Sequence, residues 1–448
     1  MRERKLLLLA MSGVRVKNEA LRALGLTLPG FVERSRVIAS LPSLSLLVLA
    51  AHTPPHWQVE YREIDQLDDR AAETIAAGGY DLVAVTSLTA RILETYALAD
   101  RLRAAGIPVV LGGLHVSALP AEAAAHADAV VRGEGEAVWE ELLRDFEAGR
   151  LRPLYSSLET PGRPFSLDCA RVPRYDLLDI RRYNRLTLQT TRGCPLHCSF
   201  CAASRTISAY KRKPIPQVRR ELEAILAVWP RPFIELADDN TFVDKRWSRE
   251  LVKLFREYRL RWFTETDLSV ADDPELLELL AGSGCAQVLI GLESAQRESL
   301  DRLDSRNWKE RRWESYGEKI RRIQSAGISV NGCFILGLDG DGPEVFDRTR
   351  DWVLASDLAE VQITLLTPFP GTALYERYRR EGRLLKEVFW DECTLFDVTY
   401  RPARMSPQEL EQGFHGLMRE LYSEENAAIR RRRFQQCVRQ AGQERTGR

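Results

Sequence analysis

The sequence predicts an α/β protein: an open, doubly wound N-terminal domain, then a partial (β/α)6 barrel, then a helical C-terminal segment. Two observations predict it. Short continuous apolar runs alternate with amphipathic stretches in residues 1–150, and the alternation starts again near residue 186. Uninterrupted apolar runs of strand length mark parallel strands buried on both faces. The second alternation has six repeats, too few for a closed eight-stranded barrel but enough for a partial one.

In the first domain, residues 1–150, the strand-like runs are 6–10, 59–64, 81–87, 109–113 and 129–132. Amphipathic stretches separate them, such as 91–105, where Leu93, Tyr96, Ala97 and Leu102 are expected to share a face. Residues 151–185 are rich in Pro and Arg and read as a linker packed on its neighbours. The second domain, 186–383, has strand-like runs at 186–190, 233–237, 262–266, 287–291, 330–336 and 361–366. Helix-like stretches include 274–281, 308–326 and 343–355, and Gly327 stops one helix before the next strand. Residues 384–448 are helical and charged, and the arginine run at 430–433 reads as a solvated helix end. Sheets of both kinds place ligands at the carboxyl ends of their strands.

Composition narrows the function classes. The 448 residues are 44% hydrophobic and 29% charged, the balance of an ordinary globular chain. Lys plus Arg and Asp plus Glu are 64 each, so no global charge steers the chain toward nucleic acid or acidic lipid. Basic residues before the apolar run 6–11 imitate a signal peptide, but the run is short and charge returns at Arg15. A buried first strand explains it better. No stretch approaches the roughly 20 apolar residues of a membrane span. A cytoplasmic protein without membrane or nucleic-acid partners is expected.

Eight cysteines are present, and three fall together in Thr-Thr-Arg-Gly-Cys194-Pro-Leu-His-Cys198-Ser-Phe-Cys201. The spacing is C-x3-C-x2-C, directly after the first strand of the second alternation. Thiolates are soft ligands suited to iron–sulfur clusters, and three of them on a four-iron cube leave one iron open to chelate another molecule. A zinc site with His197 as fourth ligand is the rival, but zinc sites pair two distant knuckles and no second one exists here. Cys285 and Cys333 read as small apolar core residues.

The triplet and its place resemble the radical S-adenosylmethionine superfamily. The resemblance implies a 4Fe–4S cluster on Cys194, Cys198 and Cys201. It implies that the open iron binds S-adenosylmethionine, whose reductive cleavage yields a 5′-deoxyadenosyl radical. Phe200 matches the aromatic position near the adenine. Further segments continue the resemblance in order: Glu235-Leu-Ala-Asp238-Asp239-Asn240, then the run ending Gly291-Leu-Glu293-Ser294, then Asn331-Gly332 through Gly337, then Thr367 to Thr372. Asp238, Asp239, Glu293 and Asn331 are thereby implied in cofactor binding. The bland reading makes Asp238 and Asp239 caps of the following helix.

In the first domain, Thr86 and Ser87, Gly112-Gly113-Leu-His115 and Gly133-Glu134-Gly135-Glu136 stand at strand ends. Small residues there let a large ligand approach the backbone; as a plain alternative they make tight turns. Their order resembles the Rossmann-like cobalamin-binding domain fused to some radical S-adenosylmethionine enzymes. Thr86, Ser87, Gly112, Gly113, His115, Gly133 and Glu134 are the implied cobalamin-binding residues. The Asp-x-His-x-x-Gly motif of many cobalamin domains is absent, and the first histidine is His52. His115 is expected to line a ligand or support structure rather than ligate cobalt.

The resemblance implies a cobalamin-dependent methyltransferase acting on an unactivated carbon, or phosphorus, of a small-molecule substrate. It also implies an electron donor such as flavodoxin or ferredoxin. The alternative keeps the fold and does other radical work: cyclisation, rearrangement or aminocarboxypropyl transfer. A tRNA methylthiotransferase would need N-terminal cysteines for a second cluster, and none precedes Cys169.

Overall fold

The structure is a computed structural model that describes residues 3–11, 21, 41–158, 165–202, 207–304 and 306–446. The first sheet contains β1 (Arg4–Met11), β2 (Trp57–Ile64), β3 (Leu82–Ser87), β4 (Val109–Gly112), β5 (Ala129–Arg132) and β6 (Leu154–Ser156). All its pairings are parallel, in the order β2-β1-β3-β4-β5-β6. Leu6, Leu7, Leu8 and Leu9 have no exposed surface. Side chains alternate along a strand, so Leu7, Leu9 and Met11 enter one core and Leu6, Leu8 and Ala10 enter the other. That two-sided burial is why this strand is continuously apolar. Each fully buried leucine contributes about 2 kcal/mol.

The second half begins with β7 (Leu186–Leu188). A short antiparallel ribbon of β8 (Thr191–Arg192) and β9 (Lys211–Arg212) follows. Then come β10 (Phe233–Leu236), β11 (Arg261–Thr266), β12 (Cys285–Glu293), β13 (Ser329–Leu336) and β14 (Glu360–Leu365). Six strands pair in parallel in the order β14-β13-β12-β11-β10-β7. This is the open six-stranded sheet expected of a partial barrel. Ile234, Trp262, Val288, Ile290, Val330, Phe334 and Ile363 pack against the helical layer. The alternate residues, among them Glu235, Glu265, Gly291, Asn331 and Cys333, face the concave side. Helices Pro407–Leu421 and Glu424–Thr446 close the chain. The first of them is started by a capping box between Ser406 and Glu409.

Several sequence expectations need correction. The segment 151–185 is more than a linker, because β6 within it completes the edge of the first sheet. Three residues are too few to show a period. In helix Ile92–Ala104 the buried face carries Ile92, Tyr96, Ala99 and Leu102, whereas Leu93 and Ala97 are exposed. Cys285 is buried, but Cys333 lies half-buried on the concave side, beside the charges of Glu293 and Glu265. The arginine run is not wholly solvated. Arg430 is buried with Nη1 on the Leu421 carbonyl at 2.8 Å, and Arg433 Nη1 reaches the Ser356 carbonyl at 3.1 Å. No helix among the described residues is long and apolar enough to cross a membrane.

Candidate active site

The cysteine loop leaves and returns through the β8–β9 ribbon. Gly193 makes the turn at φ 79°, and a Cβ there would sit 2.8 Å from the Ala209 backbone. Only glycine fits such a place without strain. The Gly193 amide donates to Asp239 Oδ2 at 2.9 Å. Asp238 holds the strand before the loop: it accepts from the Thr190 amide at 2.7 Å, the Thr191 amide at 2.9 Å and the Thr241 hydroxyl at 3.0 Å. The following helix, Lys245–Glu257, is capped instead by Asp244. Both aspartates named from the sequence thus brace the cysteine loop directly.

Cys198 forms an isolated antiparallel bridge with Asp304, and the Ser199 amide donates to the Leu303 carbonyl at 3.0 Å. This contact brings in Lys309, which sequence reasoning missed. Its Nζ is buried, 2.7 Å from Glu293 Oε1 and 2.6 Å from the Gly291 carbonyl. Burial works against the ammonium, but Glu293 and the Cys198 sulfur raise its pKa above the ordinary value. Gly291 leaves room for this pair: a Cβ there would lie 2.3 Å from Glu293 Oε1 and 3.0 Å from Lys309 Nζ. Glu293 itself holds φ 67°, uncommon for a side chain of its size. The signal for Lys309 was only its spacing after Glu293, and a surface lysine would look the same.

Asn240 Nδ2 lies 4.0 Å from Cys194 Sγ and donates to Asp267 Oδ2 at 2.8 Å. Burial, with Asp239 and Asp267 adding to it, raises the Cys194 thiol. Burial pushes the Cys198 thiol up to about 12. Thiols so placed ionise when a cationic metal group takes their charge. A cube that takes one thiolate at each of three corners fits this donor set better than a tetrahedral zinc.

On the concave side Asn331 Oδ1 is buried without a partner. Glu265 stands on the concave side and is exposed. Burial, then Glu235, Asp239 and Asp238, raise its carboxyl to about 8. Sequence reasoning did not single out Glu265, since one glutamate in an apolar strand carries no motif. Phe200 is half-buried against the barrel core.

In the first domain, Thr86 and Gly112 are register partners at the ends of β3 and β4. Ser87 Oγ is buried without a partner, and Leu88 and Leu114 stand 47% and 38% exposed at the same edge. A Cβ on Gly113 (φ 116°) would come within 2.8 Å of Thr86 Oγ1. Orphaned hydroxyl, bare glycines and uncovered leucines together fit a large, partly apolar ligand such as a corrinoid. His115 Nδ1 is buried without a partner, while its other nitrogen is engaged. The ring is buried, its Nε2 lies 3.1 Å from Glu122 Oε1, and it packs edge-on against Trp390 at 5.2 Å. The Gly133 amide donates to Ser117 Oγ at 2.9 Å. Glu134 is 4% exposed and turned to the second domain, where it meets Arg192 and Lys211.

The radical SAM superfamily model matches residues 188–353, the B12 binding domain model residues 36–143, and a domain of unknown function (DUF4070) residues 372–448. The bacteriochlorophyllide d C-12(1)-methyltransferase of Chlorobaculum tepidum is 29% identical over 396 residues, covering 86% of this chain and 83% of that one. The hopanoid C-2 methylase of Rhodopseudomonas palustris is 27% identical over 358 residues, covering 78% and 67%. Among solved structures, the radical S-adenosylmethionine methyltransferase TsrM from Kitasatospora setae, with cobalamin and a 4Fe–4S cluster bound, superposes at TM-score 0.67. It is 19% identical and covers 92% of this chain and 82% of that one. The cobalamin-dependent radical enzyme OxsB superposes at 0.70 with 13% identity, covering 92% and 66%; at such identities the likeness is one of fold. Both domain models match where the strand-end faces and the cysteine loop stand: residues 188–353 are a radical SAM superfamily domain, and a B12-binding domain, residues 36–143, precedes it.

Proposed function

We propose that the chain is a cobalamin-dependent radical S-adenosylmethionine methyltransferase acting on an unactivated carbon of a small-molecule substrate. The observation that carries this reading is the direct meeting of two cofactor faces. Glu134 and Glu136, beyond β5, are paired at 2.6 Å each with Arg192, two residues before Cys194. Gly371, after β14, packs on Ala118, beyond β4, so closely that a Cβ would lie 2.9 Å away. The methylating relatives named above support it. When bound, the cluster with S-adenosylmethionine supplies a carbon-centred radical and the corrinoid supplies a methyl group.

The chain's own residues divide the work. Cys194, Cys198 and Cys201 hold the cluster. Phe200, Asp238, Asp239, Glu293 and Asn331 shape the S-adenosylmethionine side, with Asp238 and Asp239 acting through the loop they brace. Thr86, Ser87, Gly112, Gly113 and Gly133 form the corrinoid edge, with His115 and Glu134 supporting it from behind. Residues 1–150, 151–185, 186–383 and 384–448 serve as the working divisions, with β6 joined to the first. A flavodoxin or ferredoxin supplies electrons in a reducing cytoplasm, a setting the eight free cysteines support.

The test is turnover with methyl-labelled S-adenosylmethionine on candidate substrates, starting with those of the methylating relatives. The expected products are 5′-deoxyadenosine and S-adenosylhomocysteine in similar amounts, with label on substrate carbon. Deoxyadenosine formed during substrate turnover without label in product would overturn methyl transfer in favour of a cyclisation or rearrangement. Methylthioadenosine would point to aminocarboxypropyl transfer.

A further inference from the structure

Four charged side chains meet between the two domains. Glu134 and Glu136 come from the loop after β5 in the first domain. Arg192 ends β8 and Lys211 begins β9, the ribbon that closes the cysteine loop. The Arg192 fork is split between the two acids: Nη1 lies 2.6 Å from Glu134 Oε1 and Nη2 lies 2.6 Å from Glu136 Oε1. Lys211 Nζ reaches the same Glu134 oxygen at 2.5 Å and the Phe165 carbonyl at 2.6 Å. Gln189 Oε1 accepts from Arg192 Nε at 3.1 Å and from Nη2 at 2.9 Å. The side chains of Glu134 and Glu136 are 3% and 10% exposed, and those of Arg192 and Lys211 are 12% and 18% exposed. Two cations balance two anions, so the group carries no net charge while all four partners stay in place.

Such a group is costly to desolvate and is therefore a weak source of stability; its best-attested use is to fix register. A planar guanidinium shared by two carboxylates fixes direction as well as distance, which a lysine cannot do. The connection onward is short and stiff. Arg192 is followed by Gly193, clamped by the Ala209 backbone and by Asp239, and then by Cys194. On the other side the acids stand in the loop beside Gly133, at the edge where the corrinoid-type face ends. Group transfer needs reacting atoms within roughly 3–3.5 Å, so play between these faces would be lost turnover. We propose that the Glu134–Glu136–Arg192–Lys211 junction sets the separation between the corrinoid edge and the cluster loop, making Arg192 a positioning residue for transfer between them. This rests on the proposed cobalamin-dependent function.

The experiment uses full-length protein reconstituted with iron, sulfide and hydroxocobalamin, then reduced so that both the cluster and cobalt(II) are paramagnetic. Pulsed dipolar spectroscopy between the two centres is expected to give one narrow distance distribution in the wild type. Arg192→Lys should shift and broaden it, and the milder Glu136→Gln should broaden it less. Arg101→Gln, which breaks an exposed pair with Asp69 inside the first domain, should leave it unchanged. A second arm needs no corrinoid: amide exchange in the cluster-loaded protein. There both junction variants should speed exchange at residues 133–137 and 193–201 together, in two different domains. Unchanged distance distributions in both variants, or faster exchange on one side only, would overturn the proposal. Absence of bound corrinoid in the wild type would instead refute the cobalamin reading, and the exchange arm would still decide the junction.

Discussion

In the proposed function, Cys194, Cys198 and Cys201 hold the iron as a set. Replacing all three by Ala should abolish iron uptake and 5′-deoxyadenosine formation in reconstituted protein, whereas Cys285→Ala should keep the iron, since Cys285 is buried in the core away from the loop. Iron analysis checks both. Asp238 braces the strand that leads into that loop. Asp238→Ala leaves the Thr190 and Thr191 amides without their buried acceptor and should cost about 2–4 kcal/mol in urea unfolding. Glu265 gives a prediction with a sign. Its folded-state pKa is raised to about 8, so its neutral form favours the fold. Its stabilisation is full below the ordinary carboxyl range and is lost as pH rises toward and through about 8. Glu265→Gln should flatten the fall in stability across that window, measured by urea unfolding at a series of pH values. The cysteines were legible because spacing alone identifies them. Glu265 and Lys309 were not, because what distinguishes each is the set of neighbours the fold brings beside it.

The cysteine loop and its ribbon act as one element. Gly193→Ala would force a Cβ against the Ala209 and Ser208 carbonyls at a positive φ, a strain of about 1–3 kcal/mol or more. It should reduce iron bound per chain even though every cysteine remains. Wild-type iron content would show that the loop yields. The junction with the loop after β5 has its own pH dependence. Burial alone raises the Glu136 carboxyl, but the Arg192 charge and hydrogen bond, with smaller help from its own backbone amide and His52, carry it below 4.5. A depressed carboxyl stabilises above its ordinary pKa, and that contribution is lost as pH falls below 4.5. Glu136→Gln should therefore lose part of the acid-side drop in stability, read from unfolding at pH values on either side of 4.5.

At the scale of the whole molecule the six histidines decide how a corrinoid is held. None occurs among residues 1–51, so the segment between β1 and His52 supplies no imidazole. His52 is buried edge-on to Phe165, and His115 is buried with its Nε2 on Glu122. His197 sits on the cysteine loop, and His56, His126 and His415 lie outside the β3–β4 edge. Bound corrinoid should give a cobalt(II) electron paramagnetic spectrum without superhyperfine splitting from an axial nitrogen. Such splitting would contradict this account. The C-terminal segment is held to both domains: Trp390 Nε1 donates to Glu122 Oε2 at 3.1 Å, while Tyr422 OH donates to the Val361 carbonyl at 2.7 Å.

The sequence by itself determined the parallel sheets, because strands buried on two faces must be apolar throughout, and it determined the cluster, because three thiolates at fixed spacing after a strand have few other uses. It marked Asp238, Asp239 and Glu293 by their place at strand ends, without revealing what each side chain holds. Tertiary structure alone decided that Asp238 and Asp239 brace the cysteine loop, that Cys333 lies on the concave side, and that β6 belongs to the first sheet. It alone paired Arg192 with Glu134 and Glu136, residues 58 and 56 apart in the chain. The reason is physical. Period and spacing report forces between near neighbours in sequence, while the partners of a buried charge come from whichever segments the fold brings against it.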